Sequence, residues 1–160
     1  IGVEPPGVAM PAADGDALAI RVLRASEYDI FPPDARQRFW TTSWKITPQS
    51  DRAGYRLSGE PLRLPAPVEM RSYGLVPGIV QVPPSGEPII QMSDANTAGG
   101  YPKMATVIDA DMWRLGQARL GSRLRFVDVD YDTAVEAMVP VEDWLGRVRA
   151  QMATEQRRAA

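Results

Sequence analysis

Apolar and polar positions alternate with a period of two along several short runs of the chain, the spacing of a half-buried strand. Leu18, Ile20 and Val22 share one face of such a run over residues 17–24. Trp44-Lys45-Ile46 and Tyr55-Arg56-Leu57-Ser58-Gly59 flank a turn at Ser50-Asp51-Arg52-Ala53-Gly54 and predict a hairpin with a long loop. Gly78-Ile79-Val80-Gln81-Val82 and Pro88-Ile89-Ile90-Gln91-Met92, joined through Pro83-Pro84-Ser85-Gly86-Glu87, predict a second hairpin. Residues 103–108 and Ser122-Arg123-Leu124-Arg125-Phe126 add two further strands, with Leu124 and Phe126 facing inward.

The period changes elsewhere. Residues 34–39 follow Pro32-Pro33 with an acidic start and a basic end, which suits one or two helical turns. Asp109 reads as the cap of a helix over 110–115 that stops at Gly116, with Asp109 and Asp111 as helix-start carboxylates. From Asp132 onward Ala134, Met138, Val141, Leu145, Val148 and Met152 recur at gaps of four and three. They form one apolar stripe, beside Trp144, to cover a barrel end or to dock another subunit. Pro140 predicts a kink or the start of a second helix there, and residues 155–160 are expected to fray. Short strands, frequent Gly and Pro turns and two or three helices predict a mostly β fold, a closed barrel with peripheral helices.

Residues 1–17 carry no periodicity and read as a linker or extended arm; 18–130 hold the barrel, and 131–160 a helical extension. Residues 61–69 contain Pro61, Pro65 and Pro67 and predict an irregular edge connection. The 160-residue length fits one domain with its own core. A net charge of −2 gives no electrostatic footprint for nucleic acid or anionic lipid. No run approaches membrane-spanning length and the first residues lack a signal-peptide pattern, so a cytoplasmic setting is expected. The absence of an initiator Met suggests a piece of something longer.

The chain contains neither Cys nor His. That removes disulfides, thiolate nucleophiles, a Ser-His-Asp triad and the usual zinc sites, and no metal is expected. Carboxylates, Lys, Arg, Tyr and Ser/Thr remain. The loop Ser93-Asp94-Ala95-Asn96-Thr97-Ala98-Gly99-Gly100-Tyr101-Pro102 concentrates small polar residues and paired glycines between two strands. Its backbone N–H groups can approach a ligand closely, or its glycines merely serve a wide connection. Asp51 and Asp94 are the candidate acid–base carboxylates. Arg52 can grip a carboxylate or phosphate, or pair with Asp51 or a neighbouring loop. Gln81, a polar amide in an apolar strand, faces either solvent or a cavity. Gly99-Gly100-Tyr101-Pro102-Lys103 has the wrong spacing for a phosphate-binding loop, so any ATP belongs on another chain.

Taken together, several segments resemble a family known as allophanate hydrolase subunit 2, or as the C subunit of 5-oxoprolinase, related to the carboxyltransferase domain of biotin-dependent urea carboxylase. They are Ile20-Arg21-Val22-Leu23, Ser50-Asp51-Arg52-Ala53-Gly54-Tyr55-Arg56-Leu57-Ser58-Gly59, and Val76-Pro77-Gly78-Ile79-Val80-Gln81-Val82-Pro83. Gly86-Glu87-Pro88-Ile89-Ile90, Thr97-Ala98-Gly99-Gly100-Tyr101-Pro102, Leu115-Gly116-Gln117 and Leu124-Arg125-Phe126 continue the register to about residue 130. The resemblance implies a cyclophilin-like β-barrel and the C-terminal half of a subunit about twice this long. It implies an enzyme component working with that N-terminal half and with companion subunits, the A and B subunits of the same complex. The expected reaction is ATP-dependent opening of 5-oxoproline to glutamate. Relatives instead transfer a carboxyl group from carboxybiotin to urea, or antagonise a kinase inhibitor. A substrate cleft bordered by Asp51, Arg52, Gln81, Asp94, Thr97, Gly99, Gly100 and Tyr101 follows from this picture. The family loop usually carries Asp-Arg-Gln-Thr-Thr before its glycines. Here Ala95-Asn96-Thr97-Ala98 follows Asp94, so an Arg and a Thr hydroxyl are missing.

Overall fold

A computed structural model describes residues 15–159, so most of the arm expected over 1–17 lies outside the described residues. Seven strands close into a barrel: β1 (Ala17–Arg24), β2 (Trp44–Ile46), β3 (Gly54–Ser58), β5 (Ile79–Gln81), β6 (Ile89–Gln91), β8 (Lys103–Val107) and β9 (Arg123–Asp128). Their order around the barrel is β1-β8-β5-β6-β3-β2-β9. β9 returns beside β1 in parallel, Ile20 opposite Phe126, and every other neighbouring pair is antiparallel. Closure removes the free edges that an open sheet would present. Two further strands, β4 (Tyr73–Gly74) and β7 (Ala98–Gly99), pair only with each other as a ribbon.

Both hairpins expected from the alternation are present: β2 pairs with β3 and β5 with β6. Ile20, Val22, Trp44, Ile46, Leu57, Val80, Ile90, Met104, Leu124 and Phe126 fill the core, each at most 2% exposed. α1 (Pro33–Thr41) lays Phe39 on Phe126 with ring centroids 4.5 Å apart. Its Asp34 and Arg38 join in an ion pair one helical turn apart, at 2.8 Å. The proline-rich connection from residue 61 carries no regular structure before β4, yet Leu62 is buried and its N–H bonds Gly86 O at 2.8 Å. Gly86 sits at φ +84°, and a Cβ there would lie 2.9 Å from Leu62 N, so this crossing requires glycine.

α2 (Asp109–Gln117) departs from the expected pattern. Ile108, not Asp109, occupies the cap position and makes no side-chain bond, and the helix passes through Gly116. Asp111 is no simple helix-start carboxylate either. It is fully buried and accepts Arg21 N at 2.8 Å, Nε at 3.1 Å and Nη2 at 2.7 Å. Arg114 Nη1 donates to Ala19 O at 2.6 Å, so two side chains of α2 grip β1.

After β9, Asp130 caps α3 (Tyr131–Glu136) by accepting Thr133 N at 2.8 Å. α4 (Val139–Ala159) starts with Pro140 as its second residue, where a missing N–H costs nothing. It runs to Ala159 instead of fraying at 155, because Glu, Gln, Arg and Ala are strong helix formers. The apolar stripe does not enter the core. Ala134, Met138, Val141, Leu145 and Val148 are half-buried and Met152 is exposed. Strand side chains, with Phe39 and Leu115 from the first two helices, already fill that space. Among the described residues no helix is long and apolar enough to cross a membrane.

Candidate functional site

Strand pairing builds one face of a cavity from single residues. On β3, β6 and β5, Tyr55, Ile90 and Val80 turn toward the core, which leaves Gly54, Arg56, Gln91 and Gln81 on the opposite face. The register sets Gly54 opposite Gln91, and Ile89 opposite both Arg56 and Gln81. The ribbon of β4 and β7 packs over this face closely enough that a Cβ on Gly99 would lie 3.1 Å from Gln81 Nε2. Between them is a cavity of about 560 Å³, lined by Asp51, Arg56, Gln81, Gln91, Asn96, Gly99, Gly100 and Tyr101 among others.

Two buried glutamines run along its wall. Gln81 Nε2 donates to Tyr101 O at 3.2 Å, and Gln91 Nε2 donates to Gln81 Oε1 at 3.1 Å. A backbone carbonyl can only accept, so the Tyr101 bond fixes the orientation of both amides. Gln91 is left with an uncommitted Oε1 and one spare N–H among the described hydrogen bonds. The Gln91 amide therefore keeps an acceptor and a donor for the cavity.

The residues expected at one cleft divide between two cavities. Gln81, Gly99, Gly100 and Tyr101 meet at the glutamine wall. Arg52 and Asp94 line a second cavity of about 380 Å³ with Met92 and Leu120. There Arg52 Nε pairs with Asp94 Oδ2 at 3.2 Å, both side chains exposed. Asp51 borders both cavities, and its Oδ1 accepts Ala53 N at 2.8 Å and Gly54 N at 3.1 Å to shape the turn between them. Thr97 lines neither cavity; it is exposed, and its carbonyl accepts Leu75 N at 2.9 Å in the ribbon. That bond sets the phase of the ladder, so the Tyr73–Gly99 pair also exchanges backbone bonds. Gly99 thus gives its N–H to the ribbon, and Gly100 supplies the amide near the cavity without a partner among the described residues. Arg56 and Gln91 are the site residues that sequence reasoning passes over. Each hairpin strand of the second pair carries one Gln in an apolar run, and that repetition is the available signal. Among the described residues no cluster of carboxylates suited to a metal ion occurs.

Residues 4–128 match the family model described as carboxyltransferase domain, subdomain A and B. The chain belongs to this family. It is 46% identical over 130 residues to the C subunit of 5-oxoprolinase from Haemophilus influenzae, covering 81% of this chain and 42% of that protein. Against the corresponding 5-oxoprolinase protein of Escherichia coli it is 44% identical over 118 residues, with 74% and 38% covered. The chain spans about two-fifths of the length of these curated relatives. The urea carboxylase of Kluyveromyces lactis shares its architecture at a TM-score of 0.68 and 26% identity, over 72% of this chain and 11% of that one.

In this carboxyltransferase-domain chain the ribbon is pinned through Tyr73, the residue that faces Gly99 across the ribbon. Tyr73 Oη donates to Glu27 Oε1 at 2.7 Å, and Lys103 N donates to Glu27 Oε2 at 3.0 Å. Buried Lys103 Nζ lies 3.1 Å from the centre of the Tyr73 ring. Burial raises the Glu27 carboxyl, but hydrogen bonds from Ser26, Tyr73 and Lys103 and the charge of Lys103 outweigh it, leaving Glu27 below its ordinary value. The bond to Glu27 pushes Tyr73 up to about 12, with burial adding to it, so Tyr73 stays a donor across the working range. A depressed carboxyl contributes stability above its unfolded value and loses it as pH falls through the folded one. Tyr73→Phe is therefore expected to speed exchange of the ribbon amides, Gly99 included, by about five-fold, since the lost bond joins a charged acceptor at a half-open site. Hydrogen exchange corrected for intrinsic rates checks this, and the wild type should show the same release below the ordinary range of Glu27.

Proposed function

We propose that the chain is the C-terminal portion of a cytoplasmic 5-oxoprolinase component, acting with companion subunits to open the lactam of 5-oxoproline to glutamate. The observation that carries this reading is the match, at 46% and 44% identity, to two proteins named as the C subunit of 5-oxoprolinase. The cavity supports it chemically. Hydrolysis adds water across the lactam C–N bond, and developing charge on the lactam oxygen requires a donor placed beforehand. Gly100 N–H and the spare N–H of Gln91 are such donors. Gln81 and Tyr101 hold Gln91 in place and need not touch substrate. Asp51 and Asp94 stand beside the cavities as carboxylates available for proton transfer. ATP is assigned to a companion subunit.

A second reading follows from the family description and the urea carboxylase architecture: carboxyl transfer to a urea-like acceptor. A ureido group presents one carbonyl and two N–H groups, which the uncommitted Oε1 and N–H of Gln91 also fit. Biotin would supply the carboxyl carrier for that chemistry. Assembling the full-length protein with its companion subunits and following ATP hydrolysis separates the readings. The expected result is turnover that depends on 5-oxoproline and releases glutamate. Turnover with urea and a biotin carboxylase would favour the second reading. Tight subunit binding with neither activity would leave a regulatory module.

A further inference from the structure

We propose that Arg56, not Arg52, anchors the carboxylate of the substrate, and that Gln91 reads the lactam beside it; the substrate class is a small lactam bearing an α-carboxylate. This rests on the oxoprolinase reading. Arg52 already gives Nε to Asp94 and lines the other cavity. Arg56 lines the glutamine cavity, and its exposed side chain has no hydrogen-bond or ion-pair acceptor among the described residues. An arginine fork left open beside an amide-lined wall suits a planar carboxylate.

The register then sets the spacing. Arg56 and Gly54 are two residues apart on β3, and Gly54 faces Gln91 directly, so Arg56 and Gln91 are diagonal neighbours. Diagonal neighbours lie about 7–8 Å apart at the backbone, so the long side chains at these two corners can both reach one small molecule held over the sheet. Gly54 carries no side chain there, and Ile89, opposite Arg56, leans into the space as an apolar wall, its Cγ2 3.1 Å from where a Gly54 Cβ would stand.

A ring amide is held cis, so its N–H and C=O share one edge. Gln91 retains Oε1 and one N–H, which pair with that edge as acceptor and donor. The carboxylate of such a lactam sits on the carbon next to the nitrogen, beside the N–H that Gln91 Oε1 accepts, and one in-plane setting of the ring turns it toward Arg56. A neutral lactam would satisfy Gln91 and leave Arg56 open. An open-chain dicarboxylate would satisfy Arg56 and leave Gln91 Oε1 facing an oxygen.

The test is steady-state kinetics of the assembled full-length complex with 5-oxoproline and with neutral 2-pyrrolidinone, for wild type, Arg56→Ala and Arg56→Lys, each with a thermal melt. Expected is a rise of roughly 30-fold in KM for 5-oxoproline in Arg56→Ala, with kcat and melting temperature little changed. Arg56→Lys should recover part of that loss. The wild-type preference for 5-oxoproline over 2-pyrrolidinone should collapse in Arg56→Ala. An active complex whose Arg56→Ala form keeps its KM overturns the anchor while leaving the oxoprolinase reading intact. The anchor is equally overturned if Arg52→Ala shows the KM rise instead. A wild-type complex that ignores 5-oxoproline overturns both.

Discussion

Asp111→Ala is expected to destabilise the barrel by about 3–5 kcal/mol, the range for stripping one partner from a buried ion pair. The carboxylate is fully buried and accepts three bonds from Arg21, one of them from the backbone of β1. Arg114 lies beside it, with Nη1 3.9 Å from Asp111 Oδ2 and its Nε buried without a hydrogen bond. Burial already lowers the pKa of Arg114, the charge of Asp111 opposes that, and Arg21 adds to it. Removing the carboxylate would therefore leave two guanidinium groups facing each other with no counter-charge. Asp111→Asn preserves the shape and should still cost much of the stability, because the charge is what the pair of arginines needs. Urea unfolding followed by circular dichroism measures the change in midpoint at constant slope. A loss below about 1 kcal/mol would show that α2 is held to β1 by apolar packing alone.

On the proposed oxoprolinase reading, Gly99→Ala is expected to lower 5-oxoproline turnover of the assembled full-length complex by roughly ten- to a hundred-fold, the scale of an ångström-sized misplacement at a site. The added Cβ would lie 2.9 Å from Leu75 Cδ1 and 3.1 and 3.3 Å from the two amide atoms of Gln81. The tip of a leucine can swing away. Gln81 cannot move without loosening its bond to Tyr101 O or the one it accepts from Gln91. The disturbance is thus transmitted to Gln91, whereas the core beneath, Val80 and Ile90, is untouched. Melting temperature should change little, because the ribbon stands outside the barrel. A lower melting temperature with full turnover would reduce the Gly99–Gln81 contact to packing.

Much of the barrel is legible because its strands obey a local rule. β1, the two hairpins, β8 and β9 each show alternation or an apolar run bounded by Gly or Pro. The ribbon is not legible: β4 and β7 are two residues each, too short for any period, and Gly74 meets Ala98 only through tertiary contact. Asp111 reads as a helix-start carboxylate because its partner Arg21 lies 90 positions away. The candidate site suffers in the same way. The glycine turn, Gln81 and Tyr101 can be named from composition, yet which arginine faces them depends on register. Arg52 sits in a turn and looks available, while Arg56 sits in a strand and looks like an ordinary outward residue.

Because β1 is bonded to β9 across the seam, the cylinder cannot be sealed until residues 123–128 have left the ribosome. Until then the sequence Ala17-Leu18-Ala19-Ile20-Arg21-Val22-Leu23 stands with one flank unpaired, a template for other nascent chains. Premature termination short of that point should therefore yield inclusion bodies sooner than a shortened, soluble barrel.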